Sequence, residues 1–408
     1  MTLHLAQAAF LLSERGRAAA RHIEIDLRPQ HRLAALTALR RNFTPEEAAA
    51  LLTLAELRQR AQAKFPQAEQ MFFTPEALEQ ATAWPVALHR AERLHRLAPP
   101  GPVLDLGCGI GGDALALAHF RPVIAYEMDP VRLRFAQANA EALGVADRIS
   151  FHQEDWTQAL AEERLPPAAA AFADPSRRVE GRRVFSLHRM APPLETLLIL
   201  QARVPALAVK VAPGVADEEL PPGCGVEFVS HAGVCKEAVL WFGPLTRGAP
   251  IRWASVHGED RWFVLGASGR EPPLGPLSPG QLLYEPDPAV IRAGAFFELC
   301  ERLQAHLFDA QIAYLVGPPE HFDPQMRPFV AAFWVEEVHP FGLKRLNARL
   351  RALGIGQVEL KRRGAPVEPE SLRGRLDLQP GGRPGVVLLT RRGSQRLMIL
   401  GRRFSGDA

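Results

Sequence analysis

The stretch VLDLGCGIGGDALALA (103–118) limits this chain more than any other. A short, mostly apolar run leads into four glycines within six residues, and helix formers follow. Glycine is needed where the backbone turns tightly at positive φ and where it must come close to a ligand. A strand, a glycine loop and a helix in that order build a ligand crevice at the carboxyl end of a parallel sheet. Gly107, Gly109, Gly111 and Gly112 form the loop, and Asp105 lies inside the entering strand. Glu127 ends the next apolar run, 22 residues after Asp105. An acid at that place accepts both hydroxyl hydrogens of a ribose.

The surrounding chain alternates. Apolar runs at 103–107, 123–127, 149–152, 168–174 and 206–211 are separated by helical stretches, clearest at Asp113–His119, Pro130–Leu143 and Leu187–Ala202. Gly225–Ser230 and Glu237–Phe242 stand close together and read as an antiparallel pair. Strands alternating with helices predict an α/β fold with a mostly parallel sheet. Residues 1–98 read as helical throughout. Thr44-Pro45-Glu46-Glu47 is a capping box, and Thr74–Gln80 repeats the signal. The first 17 residues read as one amphipathic helix rather than a leader. Past Gly243, Arg252–Val256 and Arg261–Leu265 flank HGED as a hairpin, and 271–280 is a Pro/Gly-rich linker. Ala289–Asp309 reads as a helix, Phe333–Glu337 as a strand and Gly342–Leu353 as a helix. Two apolar runs then surround RRGS. The expected division is therefore 1–98, 99–245, 246–335 and 336–408.

Composition removes several classes of function. No apolar run reaches the ~18 residues a membrane span requires. Cys108, Cys224, Cys235 and Cys300 form no CxxC pair, so neither a disulfide framework nor a zinc cluster is expected, and a reducing cytoplasm fits. The 13 histidines form no metal-binding constellation. The net charge of +3 conceals an asymmetry: Lys344–Ala408 holds 15 Lys/Arg against 5 Asp/Glu, which leaves −7 on the rest. A basic end on a mildly acidic body suits a polyanion such as RNA, or is a solvated basic surface.

A glycine loop alone could hold the pyrophosphate of NAD or FAD. Asp105 argues otherwise, since it would repel a pyrophosphate but suits the ammonium of a sulfonium cofactor. DLGCGIGG (105–112) closely resembles motif I of the class I S-adenosylmethionine-dependent methyltransferases. YEMDP (126–130) resembles their motif II and EDW (154–156) their motif III. The resemblance implies that Asp105, Gly107, Cys108, Gly109 and Gly111 hold the methionine part of S-adenosyl-L-methionine. Glu127, with Met128 beside it, would take the ribose, and Asp155 with Trp156 the adenine edge. Asp155 could instead cap a helix and Trp156 pack in the core. Asp129 reads as the cap of the helix that starts at Pro130.

ADPSRR (173–178) ends the fourth strand, the place of the reacting methyl group in such a fold. Amino-directed methyltransferases carry Asn/Asp-Pro-Pro-aromatic there, whose side-chain oxygen and backbone carbonyl accept the amine hydrogens. Asp174 and Pro175 match, whereas Ser176 and Arg177 replace the second proline and the stacking aromatic. Arg177 and Arg178 could contact phosphate or pair with local carboxylates. Lys210 interrupts the fifth apolar run, as a site residue or a side chain leaning into solvent. The catalytic candidates are thus Asp174, Pro175, Ser176, Arg177 and Lys210. No ProCys dipeptide is present, which argues against pyrimidine C5 methylation.

MFFTPEALEQATAWPVALHRAERL (71–94), the motif I–II block and ADPSRR together resemble a bacterial family of class I methyltransferases. Its members carry a ferredoxin-like insertion and a C-terminal THUMP-like domain, and its core is similar to trimethylguanosine synthase. The resemblance implies a Rossmann-like domain with a mostly parallel seven-stranded sheet, an N-terminal helical domain and C-terminal α+β domains. It places Phe73 and Thr74, with Phe72 and Trp84, at the cofactor, unless they are core residues. It also implies RNA as partner, whether rRNA, tRNA or another RNA. Lys361, Arg362, Arg363, Arg391 and Arg392 are then the phosphate-contact candidates. The expected function is methylation of a base nitrogen of RNA, guanine N2 first. The alternatives are a protein or small-molecule methyltransferase, or a non-catalytic RNA-binding protein on a degenerate fold.

Overall fold

The computed structural model describes residues 3–21, 28, 31–176, 178–179, 182–183 and 186–405. The chain divides into two units, Met1–Gly225 with Val239–Gly248, and Val226–Ala238 with Ala249–Ala408.

The first unit opens with helices α1 (Leu5–Leu12), α2 (Glu14–Arg21), α3 (Arg32–Leu39), α4 (Pro45–Ala61), α5 (Pro75–Gln80) and α6 (Trp84–Leu97). The first two replace the single helix expected at the start. Ser13 breaks it, because its hydroxyl accepts from the Gly16 amide and so competes with the helical ladder. Thr44 forms the expected capping box with Glu47 at the start of α4. β1 (Val103–Leu106), α7 (Gly112–Ala118), β2 (Val123–Tyr126), α8 (Pro130–Ala142), β3 (Ile149–His152), α9 (Trp156–Ala161) and β4 (Ala170–Ala173) follow. A short pair, β5 (Arg178–Val179) and β6 (Arg182–Arg183), precedes α10 (Leu194–Gln201) and β7 (Leu207–Val211). The strands lie in the order β7-β4-β1-β2-β3, all parallel. All residues of β1, β4 and β7 are buried, as strands covered on both faces must be. α10 is shorter than the expected Leu187–Ala202, because Pro192 and Pro193 lack the amides a helix through them would need.

Asn139 on α8 is fully buried and ties three segments together. Its Oδ1 accepts from the Phe72 amide at 2.7 Å, and its Nδ2 donates to the carbonyls of Phe72 and Ile110. The segment before α5 is thereby fastened to the glycine loop.

β8 (Gly225–His231) and β9 (Val234–Phe242), of which Gly225 and Val239–Phe242 belong to the first unit and the rest to the second, are joined through Ala232 and Gly233, both at positive φ. That is the two-residue turn whose twist suits a hairpin. β10 (Arg252–Gly258) and β11 (Arg261–Ala267) are antiparallel about Glu259 and Asp260, also at positive φ, where the HGED hairpin was expected. β12 (Leu282–Pro286), α11 (Pro288–Ala293), α12 (Phe296–Leu303), β13 (His306–Leu307) and β14 (Leu315–Gly317) follow. The one helix expected over Ala289–Asp309 is two, because Gly294 turns left-handed and caps α11. The chain ends with β15 (Val330–Pro340), α13 (Leu343–Ala352), β16 (Ile355–Arg362), α14 (Pro369–Arg373), β17 (Arg383–Arg392) and β18 (Gln395–Arg403). The seven-stranded order is β13-β14-β12-β15-β18-β17-β16. β15 runs through position 335 and pairs with β12 on one side and β18 on the other. Residues 282–335 and 336–403 therefore share one sheet.

Candidate active site

β1 and β4 are neighbours, yet the chain leaves β1 toward β2 and returns to β4 from the far side. This is the point where the strand order reverses, and a crevice opens beyond the strand ends. A cavity of 860 Å³ lies there. Its size is within the ~300–1,000 Å³ usual for small-ligand sites.

On the β1 side the loop residues Gly107, Gly109 and Gly111 have φ of 87°, 59° and 91°. The amides of Gly107 and Cys108 both donate to the Tyr126 carbonyl, which binds the loop to the end of β2. Glu127 accepts from the Gly109 amide with one oxygen and from the Asp129 amide with the other, each at 2.9 Å. Asp105 is buried to 1% exposure and its Oδ2 has no hydrogen-bond partner. Burial, then the nearby Asp113 and Asp174 carboxylates, push its carboxyl well above the usual range. An unpartnered buried carboxylate oxygen on a cavity wall calls for a cationic donor. The ammonium of S-adenosyl-L-methionine is such a donor, and when bound this cofactor supplies a methyl group on a positively charged sulfur. Cys108 also faces the cavity. Burial, with Asp105 and Glu127 beside it, pushes its thiol well up, so it is a poor nucleophile.

On the β4 side Asp174 follows the last strand residue. Lys210 Nζ lies 2.7 Å from Asp174 Oδ2 and donates to Thr82 Oγ1 at 3.1 Å. Thr82 donates to Asp113 Oδ2 at 3.0 Å, and Asp113 Oδ1 pairs with Arg90. Arg90 is 2% exposed and stacks its guanidinium 4.2 Å over the Phe172 ring. A buried charged chain thus runs from the cavity wall through four elements. The ionic groups in it are partnered, which is the condition for burying them. Thr82 and Asp113 line the cavity and Arg90 stands behind them, and the motifs pointed to none of the three. The available signal was an arginine and an acid at apolar-face positions of α6 and α7.

The cavity brings together Asp105, Gly107, Cys108, Gly109, Glu127, Met128, Asp155, Trp156, Asp174, Pro175 and Ser176. Lys210 reaches it through Asp174. Asp155 also caps α9, accepting from the Thr157 amide and hydroxyl, and Asp129 caps α8. Gly111, the N-cap of α7, stands between Ile110 and Gly112, which both line the cavity. Phe73 and Thr74 do not line the cavity. Phe73 packs on Phe65 at 5.8 Å, and the Thr74 hydroxyl caps α5. Phe72 packs on Phe135, and Trp84 on His119. All four serve the core around α5 and α6 rather than the cavity surface. Arg177 lies outside the described residues, as does the side chain of Arg178. Ser176 exchanges both backbone hydrogen bonds with Ala191, which fixes the strand end.

In the second unit Lys361 pairs with Glu285, and Arg363 approaches the same carboxylate at 3.6 Å with its guanidinium 5.2 Å from the centre of the Tyr314 ring. Arg362 pairs with Glu368, Arg349 with Glu337 and Arg383 with Glu336. The basic end is therefore offset in part by acids that precede it in sequence. Arg391 donates to the neutral oxygens of Gly393 and Gln311, and with Arg392 it lines a shallow, open depression beside Leu274 and Phe308. No helix among the described residues is long and apolar enough to cross a membrane. Those residues also hold no group of three metal-ligating side chains.

A parallel sheet with a glycine loop at its switch point, an acid at the end of β2 and one unpartnered oxygen on a buried carboxylate fits a Rossmann-like methyltransferase. Comparison with known proteins gives the family. An S-adenosylmethionine-dependent methyltransferase of Mycobacterium tuberculosis, itself uncharacterized, is 36% identical over 335 residues, covering 80% of this chain and 87% of its own. The chain belongs to this family of S-adenosylmethionine-dependent methyltransferases. A family described as RNA cap guanine-N2 methyltransferase matches residues 101–175, and one described as THUMP domain-like matches 330–403. A domain of unknown function matches 4–61. A crystal structure from Porphyromonas gingivalis W83, provisionally named a methyltransferase, has the same fold: TM-score 0.71 at 19% identity, over 92% of this chain and 98% of that one. The release factor glutamine methyltransferase of Escherichia coli is 43% identical over 69 residues, 16% of this chain and 24% of its own.

Proposed function

We propose that this methyltransferase modifies a base nitrogen of RNA, with the exocyclic N2 of guanine as the first target. The observation that carries the chemistry is the Asp174 carboxylate, held through Oδ2 by Lys210 at the carboxyl end of β4 and beside Pro175 on the cavity wall. A fixed carboxylate accepts a hydrogen of a planar amine and so aims its lone pair at the methyl carbon. The N–C bond forms as the S–C bond breaks, with the electron pair staying on sulfur. The nitrogen then sheds its surplus proton to Asp174 and from there to water. Positioning supplies most of the rate in such an in-line displacement.

The RNA part is supported by the guanine-N2 description matched over 101–175 and the THUMP domain-like match over 330–403. Four free cysteines suit a reducing cytoplasm. The roles assigned to Asp105, Glu127, Met128, Asp155 and Trp156 toward the cofactor belong to this reading, as do those of Arg391 and Arg392 toward phosphate. The test is incubation with labelled S-adenosylmethionine and unmodified ribosomal and transfer RNA transcripts, followed by digestion to nucleosides. Label in a methylguanosine is the expected result. A protein amide is the second reading, favoured by the matched segment of the release factor enzyme. Label in a glutamine-bearing peptide and none in RNA would establish it instead.

A further inference from the structure

We propose that Thr82 is a positioning residue that couples the segment covering the cavity to the carboxylate receiving the acceptor nitrogen. The proposal rests on the reading of Asp174 above. Thr82 is 6% exposed and sits between α5 and α6, and it lines the cavity with Ala81 and the last two residues of α5, Glu79 and Gln80. Lys64 holds this linker from behind, donating to the carbonyls of Leu78, Glu79 and Ala81 at 2.7–3.0 Å. The hydroxyl accepts from Lys210 and donates to Asp113, so both its roles are used in one direction. Asp113 lies in the first turn of α7, directly after the glycine loop. One hydroxyl therefore ties the cover segment to the loop helix and to the ammonium that holds Asp174.

An ammonium has three donors and no acceptors, and a buried one adopts the orientation its acceptors dictate. Lys210 is 4% exposed, so losing one acceptor turns the ammonium and moves the Asp174 carboxylate it holds. The groups proposed above for the cofactor's methionine and ribose parts are Asp105 and Glu127. Thr82 bonds to neither, since its partners are Lys210 and Asp113. Substitution at Thr82 is therefore expected to damage what happens at the methyl position and to spare cofactor affinity.

The test needs no acceptor substrate. In sinefungin a carbon bearing an amine replaces the sulfur and its methyl, so its extra ammonium reports on the Asp174 oxygen. S-adenosylhomocysteine lacks that group. Calorimetric affinities for both are measured on the full chain, wild type, Thr82→Val, Thr82→Ala, Thr82→Ser and Asp174→Asn. The wild type should prefer sinefungin. Thr82→Val and Thr82→Ala should lose about tenfold of that preference, the scale of one hydrogen bond to a charged group. S-adenosylhomocysteine should bind them within twofold of wild type, which also reports that they fold, and Thr82→Ser should restore the preference. An unchanged preference in the Val and Ala variants, with loss in Asp174→Asn, overturns the role of Thr82 alone. Equal weakening of both ligands also overturns it, by making Thr82 a structural part of the pocket. An unchanged preference in Asp174→Asn removes the reading of Asp174 itself, and the coupling with it.

Discussion

Lys210 Nζ stands 2.7 Å from Asp174 Oδ2 because β7 and β4 are adjacent parallel strands in the register Ala173↔Val209, which sets the next residues of each strand side by side. Lys210 is buried, while the Asp174 side chain keeps 28% exposure on the cavity. The two partners are therefore not equivalent. Removing Asp174 takes the carboxylate away from a buried ammonium, whereas removing Lys210 leaves a carboxylate that water can reach.

Asp174→Ala should lower methyl transfer by about a hundredfold or more, since positioning and charge complementarity at the reacting atom disappear together. S-adenosylhomocysteine affinity should stay within about threefold. The variant should also lose roughly 2–3 kcal/mol of stability, below the ~3–5 of a fully buried broken pair. Adding Lys210→Met should return part of that stability but none of the activity. Calorimetric unfolding beside labelled transfer assays checks both halves, and full activity in Asp174→Ala would sink the catalytic assignment.

Asp105 predicts a pH effect. Its carboxyl is pushed well above the usual range, chiefly by burial. A group whose folded value is raised keeps its full contribution below the unfolded value, about 3.9 for Asp. Stability is then lost as pH rises through the folded value, because the native state binds the extra proton. Asp105→Asn should flatten that descent in unfolding measurements across pH. A cofactor ammonium favours the ionised carboxylate, so cofactor binding should release protons in a window above the usual carboxylate range. Calorimetry in buffers of different ionisation enthalpy measures this release. Its absence would mean that Asp105 does not meet the ammonium.

Asn139→Ala should destabilise the first unit by about 3 kcal/mol, since it leaves the buried Phe72 amide and the Phe72 and Ile110 carbonyls without their partner. Because Asn139 fastens the segment before α5 to the glycine loop, cofactor affinity should fall as well. A melting temperature within a degree of wild type would show that water replaces these bonds.

The basic face of the second unit divides by partner. Replacing Arg391 and Arg392 with alanine should lessen the slope of log affinity for RNA against log salt, by about 0.7 for each phosphate of a single strand that is no longer neutralised. Lys361→Met should act differently. It removes one of the two cations at Glu285, leaving Arg363, and should register in thermal stability more than in the salt slope. Equal slopes for the Arg391/Arg392 variant and the wild type would remove these two residues from any RNA interface.

Much of the site was legible because its signals are local. The glycine loop needs positive φ within one turn, and Glu127 follows at the spacing of one strand-helix-strand unit. Asp129, Thr44 and Thr74 cap helices that begin at the next residue, so sequence neighbours alone specify them. Phe73 and Thr74 show the limit of local signals. A motif-borne resemblance located the segment, but burial decided that Phe73 turns into the core while Thr82, eight residues after Thr74, meets the cavity. The basic end was also legible as a count but not as a surface. Glu285, Glu336 and Glu337 reach it only when the sheet forms.

By itself the sequence determined the class of the protein, the glycine loop, the acid that ends β2 and the acid-proline that ends β4. Backbone conformation and strand-helix alternation are written within a few residues of each. Only the tertiary structure decided that Lys210 serves Asp174, that Thr82, Asp113 and Arg90 stand behind them, and that Asp105 faces the cavity with an unpartnered oxygen. These depend on the register of parallel strands and on burial. Both arise when residues 23 to 128 positions apart are packed together, a separation at which no local pattern survives.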